Sequence, residues 1–260
     1  MSKFQSGADA LNSLNATNEG NGGSKAEFAS FKSGTSYKVR VLGTADLIRF
    51  YSYGIFKKVN SFVAKNPSVR NAKGYPESNL TAWDLASKHY QDLAFKARDN
   101  GNVSAEEENR NLAYQFKAKE RYAMGFIDLE TGEPIIVDLS KKQAQGVHAV
   151  ITKYEKKLGK LAFELSKSGQ STSTTVSLSP IIDMDEDLTD KERANFAKLD
   201  GQDFDMTLFE NLLYEADEKE MTESLVAAGF DISLIGLSIG ANGAEQGGIG
   251  DVEETQEFDF

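Results

Sequence analysis

The chain has 260 residues, no cysteine, two histidines and a formal net charge of −11. This composition excludes disulfides and thiolate metal sites, and we expect no metal and no cofactor. No apolar run approaches the ~20 residues that span a bilayer, and the N-terminus lacks the apolar stretch of a signal peptide, so we expect a protein of a reducing compartment without membrane contact.

The charge is distributed unevenly along the chain. Residues 31–170 carry 23 Lys or Arg against 15 Asp or Glu, whereas residues 181–260 carry 4 against 22. A basic body with an acidic end is typical of a protein that binds a polyanion and whose own acidic end competes for the same basic surface. An acidic end that serves only solubility is the alternative interpretation.

The chain begins with a polar stretch that precedes a predicted strand. Residues 1–30 are rich in Asn, Gly and Ser, which predicts a flexible arm, with structure starting near Phe31. The period-two alternation of residues 35–43 predicts a half-buried strand. In that strand Lys38 and Arg40 lie on the face opposite the apolar residues, so we expect both to be exposed.

Residues 48–58, IRFYSYGIFKK, interleave aromatic rings with cations. Alternation places Phe50 and Phe56 on the face that packs on a core. It places a row of rings and cations on the outward face, namely Arg49, Tyr51, Tyr53, Ile55 and Lys57. Unpaired bases stack on exposed rings while Lys and Arg bind the neighbouring phosphates, so this row indicates contact with a single-stranded nucleic acid.

Residues 80–98 change to a helical period and belong to a predicted helical insertion at about 76–115, in which Trp83 and His89 are packing residues. The sequence after the insertion predicts three further units. They are a β-hairpin over 116–140 with its turn at Gly132, a helix over 141–160, and two strands over 160–169 and 173–181.

The acidic end divides into two parts. Residues 183–236 predict an acidic helical segment with apolar periodicity around Leu208, Leu212 and Leu213, and residues 237–260 predict a Gly-rich linker with a disordered acidic tip. The tip, DVEETQEFDF, suits a partner pocket with an apolar floor and a basic rim, although most acidic termini are only solvated. The predicted partner-binding residues are Phe258, Asp259 and Phe260.

Signatures of catalysis are missing. The stretch GNGGSK lacks the spacing of a phosphate-binding loop, and the sequence contains no HExxH or GxSxG. The acids from Asp183 onward resemble a calcium loop, but Leu188 stands where such a loop needs glycine. We expect a protein that is not an enzyme, with a metal-dependent nuclease left open because carboxylates are plentiful.

An antiparallel sheet that curls into a small barrel and carries rings and cations on one face describes an OB-fold. The predicted fold class is therefore mixed β/α, with an OB-fold, a five-stranded Greek-key β-barrel, over 31–182. The order of three stretches, GTSYKVRVL, KAKERYAMGFIDLE and VDLSKKQAQGVHAVI, resembles the helix-destabilising single-stranded DNA-binding proteins of T4-type tailed phages.

The resemblance implies sequence-independent binding and protection of single-stranded DNA during phage replication, recombination and repair, in the cytoplasm of the bacterial host. It implies that the tail recruits a polymerase, helicase or primase. That family carries a zinc subdomain, but residues 60–116 contain no cysteine, and here the helical insertion replaces it. The resemblance also places a DNA-contacting tyrosine at Tyr122. Strict alternation puts Tyr122 on the core face, so either a β-bulge re-aims it or the resemblance fails there.

The predicted nucleic-acid contacts are rings and cations from three separated stretches. They are Lys38, Arg40, Arg49, Tyr51, Tyr53, Lys57, Lys58, Lys117, Lys119, Arg121, Tyr122, Lys141 and Lys142. Two alternatives remain open at this point: an RNA-binding OB-fold protein, since the 2′-hydroxyl contact is not legible in a sequence, and a virion or assembly protein whose aromatic faces meet other proteins.

Overall fold

The computed structural model describes residues 27–170 and 173–239, and in these residues ten strands form one eight-stranded sheet and a two-stranded hairpin. The strands are β1 Ser36–Arg40, β2 Leu47–Ile55, β3 Val59–Ala64, β4 Val69–Arg70, β5 Pro76–Ser78, β6 Lys119–Asp128, β7 Pro134–Ser140, β8 Phe163–Ser168, β9 Thr175–Pro180 and β10 Glu215–Ala216. The α-helices are α1 Ala82–Asp99, α2 Val103–Phe116, α3 Lys141–Lys153, α4 Met184–Asp187, α5 Asp190–Lys198 and α6 Glu218–Ala227.

The large sheet has the order β10-β3-β2-β6-β1-β8-β9, with β7 paired to the other edge of β6. All its pairings are antiparallel except that of β10 with β3. β6 is the central strand, because β2 pairs with its first half and β1 with its last two residues. The predicted hairpin over 116–140 is confirmed as β6 and β7, with Gly132 at a positive φ of 82° in the turn.

The sheet is not a closed barrel. The prediction of a mixed β/α fold is confirmed, but the described residues contain no ladder between β7 and β9, so the closed five-stranded barrel does not form. The physical reason lies in α3, which packs against β6, β7 and β9. The closing edges are bridged by the apolar face of α3 rather than by hydrogen bonds.

The largest core cluster lies between the sheet and α3. Val39, Phe163 and Leu165 from the sheet are fully buried there, together with Val147 of α3. A second cluster lies between the sheet and α1, α2 and α6, around the fully buried Trp83. The indole Nε1 of Trp83 donates to the Met221 carbonyl at 3.0 Å, which confirms that this tryptophan is a packing residue.

Strand β2 is covered on both faces, and the predicted outward row on it is wrong for Tyr53. Phe50 packs on a third cluster around Phe204, whereas Tyr51 and Tyr53 pack on the second cluster. The predicted core residue Phe56 is instead 87% exposed. Phe56 is exposed because the register of β2 shifts after Tyr53, where Gly54 has a φ of +137°. Tyr53 is buried because helices pack over the second face of the strand.

The acidic segment packs on the outer face of β1, and the predicted exposure of Arg40 is therefore wrong. Arg40 is 3% exposed, and its guanidinium donates to the Phe196 carbonyl and pairs with Asp200 at 3.1 Å. Its carbon Cζ lies 4.3 Å from the centroid of the Phe196 ring. Lys38 is partly buried because its Nζ bonds Glu192 at 3.1 Å.

The helical periodicity predicted around Leu208 is not one helix. Met206–Phe209 forms a 3₁₀ turn, Asn211 has a φ of +59° that stops a helix, and α6 begins only at Glu218. The tail contacts predicted at Phe258, Asp259 and Phe260 and most of the predicted N-terminal arm lie outside the described residues. No helix among the described residues is long and apolar enough to cross a membrane.

Candidate nucleic-acid interface

A cleft of about 400 Å³ opens where β2, β6, the β4–β5 hairpin and the ends of α2 and α3 meet. The β2–β6 register sets Tyr51 opposite Glu120 and Ser52 opposite Lys119. The cleft is lined by Tyr51, Lys73, Gly74, Tyr114, Lys117, Ala118, Lys119, Glu120, Arg121, Ser140, Lys141 and Lys142. Residues from five separate stretches of the sequence therefore face one space.

A helix cap fixes the lysines at the far end of the cleft. Ser140, opposite Arg121 in the β6–β7 ladder, is the N-cap of α3 and forms a capping box with Gln143. The cap ends β7 and starts α3 within one residue. Lys141 and Lys142 therefore occupy the first turn of α3 at the edge of the sheet.

The β4–β5 hairpin forms one wall of the cleft. The side-chain oxygen of Asn71 accepts hydrogen bonds of 3.0 Å from the backbone N–H groups of Lys73 and Tyr75, which holds the turn. Gly74 in this turn has a φ of +82°, and a Cβ there would lie 3.0 Å from the Tyr51 hydroxyl oxygen. Glycine is needed here for both its backbone conformation and this close approach.

The cleft is strongly basic. Its lining contains six Lys or Arg residues and a single acid, Glu120. Two of the cations are paired, because Arg121 bonds Asp138 and Lys141 bonds Glu120. In the part of the chain that the structure describes, the other four have no carboxylate at ion-pair distance and are available to an anion: Lys73, Lys117, Lys119 and Lys142.

Two exposed tyrosines stand beside these cations. Tyr75 is 49% exposed with the Lys117 ammonium 4.8 Å from its ring centroid, and Tyr114 is 66% exposed with the Lys119 ammonium at 5.6 Å. Tyr51 on the cleft floor is more enclosed, because the Arg70 guanidinium lies 4.3 Å from its ring centroid. Tyr75 and Tyr114 therefore offer the ring surface on which a planar ligand can stack.

The one acid of the cleft is held by two donors. Glu120 accepts from the Tyr122 hydroxyl at 2.8 Å and from the Lys141 ammonium at 3.0 Å. Partial burial acts to raise the pKa of Glu120, but these two hydrogen bonds and the charges of Lys141 and Arg49 together outweigh it, so the pKa lies below its ordinary value. Burial and the neighbouring carboxylate raise the pKa of Tyr122. Glu120 is therefore an ionised acceptor at neutral pH.

A second depression of about 340 Å³ continues the basic surface past Lys119 and Arg121, which line both spaces. It ends at the β2–β3 turn, where Phe56 is 87% exposed and the Lys57 ammonium lies 5.4 Å from its ring centroid. Lys58 is exposed in the same turn. The predicted cations of this turn thus lie at one end of a continuous surface.

Tyr53, predicted as an outward contact, belongs to a buried polar cluster. It is 3% exposed, and its hydroxyl donates to Asp84 at 2.6 Å and accepts from Arg70 at 3.0 Å. Arg70 and Asp84 form an ion pair of 3.0 Å that is itself buried. Burial, followed by the Asp84 charge, raises the pKa of Tyr53 well above its ordinary value. This cluster holds the hairpin strand β4 against α1.

Tyr122 keeps the position that strict alternation gives it. The β6 ladders with β2 and β7 run through this residue without a register shift, so the β-bulge proposed to re-aim it is absent there. Tyr122 is partly buried against the largest core cluster, and only its hydroxyl reaches Glu120 in the cleft. Tyr122 therefore contributes to the cleft by holding Glu120 in place.

The predicted contacts thus fall into three groups. Those that line the cleft are Tyr51, Lys117, Lys119, Arg121, Lys141 and Lys142. Those beside it or on the continuing surface are Arg49, Tyr122, Lys57 and Lys58. Those held in other contacts are Lys38, Arg40 and Tyr53.

Three residues of the interface were missed by sequence reasoning: Lys73, Tyr75 and Tyr114. The signal for the first two was the stretch NAKGYP, whose Asn and Gly are typical of a tight turn that presents its neighbours to solvent. Tyr114 lies in α2, within the predicted helical insertion, for which no nucleic-acid contact was predicted. Its exposure depends on which face α1 covers, which the local pattern does not specify.

The described residues contain no group of three His, Asp or Glu side chains that could hold a metal ion. No family model, no curated protein and no solved structure matches this chain. The geometry and charge of the cleft are therefore the basis for a functional assignment.

Proposed function

We propose that this protein binds single-stranded DNA with broad sequence tolerance along the basic cleft and performs no chemistry on it. The observation that carries the proposal is the convergence of four unpaired lysines with the exposed rings of Tyr75 and Tyr114. Ring stacking contributes about 1–3 kcal/mol per base and accepts any base, while the lysines neutralise phosphates. A duplex hides its base faces, so the exposed rings favour a single strand.

We also propose that the sheet is an open form of an OB-fold. Three features support this. First, β1 and β2 together occupy the place of one strand beside β6, and β7 follows on the other edge of β6, which makes a three-stranded meander. Second, the helix α3 follows the meander, and third, β8 and β9 form a hairpin in which β8 pairs with β1. An OB-fold is a partly open Greek-key barrel that binds oligonucleotides on its strand face and with the loop after its first strand. In this correspondence the insertion between β2 and β6, which supplies Lys73 and Tyr114, is that loop.

The protein-interaction alternative is less well supported. Cores of protein–protein interfaces are depleted in lysine, whereas the cleft lining contains five lysines beside its tyrosines. RNA remains the second candidate, because stacking and phosphate contacts suit both nucleic acids. The resemblance to phage helix-destabilising proteins favours DNA.

The same resemblance extends the proposal to the biological setting. The protein would coat single strands during phage replication, recombination and repair in the bacterial cytoplasm. The acidic, phenylalanine-containing stretch 251–260 would recruit a polymerase, helicase or primase.

Titration of a labelled oligothymidylate, with duplex DNA and oligouridylate as competitors, tests the proposal. We expect saturable binding that single-stranded DNA displaces and duplex displaces far more weakly. Four phosphate contacts give a log–log salt slope of about −3. Equal competition by duplex, or affinity that does not change with salt, would contradict it, and stronger competition by oligouridylate would favour the RNA candidate.

A further inference from the structure

The single carboxylate on the cleft floor needs an explanation in a site that binds phosphates. The Glu120 side chain is 17% exposed and lies in the β6 position opposite Tyr51. Its carboxylate is fixed by Tyr122 at one oxygen and by Lys141 at the other. The remaining charged residues of the cleft lining are Lys73, Lys117, Lys119, Arg121, Lys141 and Lys142, all cations.

The largely buried carboxylate of Glu120 has two consequences for a bound strand. It repels phosphate, so the phosphodiester chain must follow the lysines at the rims while the bases point inward. It is also an unsaturated acceptor, because two carboxylate oxygens offer about four acceptor positions and Tyr122 and Lys141 occupy two of them. The free positions can accept from N–H or O–H groups, and the donors that an unpaired DNA base offers are its N–H groups.

Resting on the function proposed above, we propose that Glu120 makes the cleft prefer bases that carry an exocyclic amino group, with cytosine favoured over thymine. Cytosine presents its N4 amino group as a donor at the position where thymine presents the O4 carbonyl as an acceptor. A carboxylate accepts a charge-assisted hydrogen bond from the cytosine amino group, whereas the one donor of thymine, N3–H, lies between two carbonyl oxygens that repel the carboxylate. Stacking on Tyr75 and Tyr114 is similar for both pyrimidines, so the acceptor decides the difference.

The test compares oligodeoxycytidylate with oligothymidylate of equal length, on the wild type and on Glu120→Gln. The control is Glu133→Gln, which removes the same charge from an exposed position in the β6–β7 turn. Wild type and control should bind the cytidylate about ten- to hundredfold more tightly, the range of one hydrogen bond to a charged group. In Glu120→Gln the ratio should fall to about one, because an amide can also donate to the thymine carbonyl.

A second test changes the ligand instead of the protein, so its result does not depend on whether Glu120→Gln folds. An oligonucleotide of 2-pyrimidinone, which lacks the amino group of cytosine, should bind the wild type no better than oligothymidylate. A cytosine preference that survives in Glu120→Gln, or equal affinities in the wild type, would overturn this inference while leaving single-strand binding intact. Absence of binding to every oligonucleotide would overturn it together with the proposed function.

Discussion

In the proposed function, Tyr75 and Tyr114 are the residues on which base stacking depends. Truncation of either ring should weaken single-strand binding by about 1–3 kcal/mol with little change in the free energy of unfolding, because both rings are exposed. Fluorescence titration and urea unfolding measure the two quantities. Phe95→Ala is the matched control, since Phe95 is 48% exposed with the Arg98 guanidinium 5.1 Å from its ring centroid. Arg98 does not line the cleft, whereas Lys117 and Lys119, which lie over the rings of Tyr75 and Tyr114, both do. An equal loss in the control would show that these rings act only through general surface properties.

For the buried pair Asp84 and Arg70 we expect a substitution to lower the stability of the fold. Asp84→Asn leaves the buried Arg70 guanidinium without its counter-charge and should destabilise the fold by about 3–5 kcal/mol. The change in the urea midpoint measures it. Ser68→Ala removes a hydrogen bond to the same carboxylate and the acceptor of the Thr81 backbone N–H but leaves the ion pair, and should cost about 1.5–3 kcal/mol. Similar costs for both variants would mean that Arg70 is not held mainly by the Asp84 charge.

At the scale of elements, the β4–β5 hairpin positions Lys73 and Tyr75 by its contact with Tyr51. Gly74→Ala combines an unfavourable φ with a Cβ that approaches the Tyr51 hydroxyl, so the turn must move and single-strand affinity should fall several-fold. Gly101→Ala is the control, because Gly101 also has a positive φ, of +71°, but a Cβ there meets no atom within 4 Å. Both should lose about 1–2 kcal/mol of stability. Unchanged affinity in Gly74→Ala would exclude the hairpin as a wall of the site.

The acidic segment should be linked to β1 in a pH-dependent way. Burial acts to raise the pKa of Glu192, but hydrogen bonds from the Thr189 backbone and Lys38 outweigh it, and the pKa lies below its ordinary value of 4.5. The ionised form therefore stabilises the folded state above the unfolded pKa, and this contribution disappears as the pH falls through the folded pKa. Glu192→Gln keeps the helix cap but loses the ion pair with Lys38.

Urea unfolding at pH 7 and at pH 3 checks this linkage. Glu192→Gln should be less stable than the wild type at pH 7, and the difference should shrink at pH 3. The exposed Glu186→Gln in the same segment should differ little from the wild type at either pH. A difference for Glu192→Gln that is equal at both pH values would show that the charge of Glu192 does not contribute.

Features that depend on neighbouring residues could be predicted from the sequence. Features that depend on the packing of distant segments could not. The period of β1, the β6–β7 hairpin and the helical period of α1 depend on neighbouring residues, and the structure contains all three elements. Both faces of β2 are buried because other elements return over them: α1 covers the face of Tyr53, and Phe204 of the acidic segment covers the face of Phe50. The burial of Tyr53 and of Arg40 depends on such returns, so alternation placed both on the wrong side. Four of the five cleft lysines were predicted, because cations left over from packing must face solvent, and Lys73 was missed.

At the scale of the whole molecule, the acidic and basic parts of the chain are partly paired and partly separate. The acidic segment neutralises Lys38 and Arg40 on β1, whereas the cleft keeps four cations without a carboxylate partner among the described residues. A net negative protein can therefore present a local positive surface to a polyanion. In the proposed function this surface, and not the total charge, binds the strand.

The salt dependence of oligothymidylate binding in two double variants tests that claim most directly. Lys117→Ala/Lys142→Ala removes two cleft cations, and Lys156→Ala/Lys160→Ala removes two exposed cations outside the cleft lining. Each phosphate contact contributes about −0.7 to the log–log slope, so the cleft variant should have a slope less steep than the wild type by about 1.4, and the control should keep the wild-type slope. An unchanged slope in the cleft variant, or an equal decrease in both variants, would contradict the account.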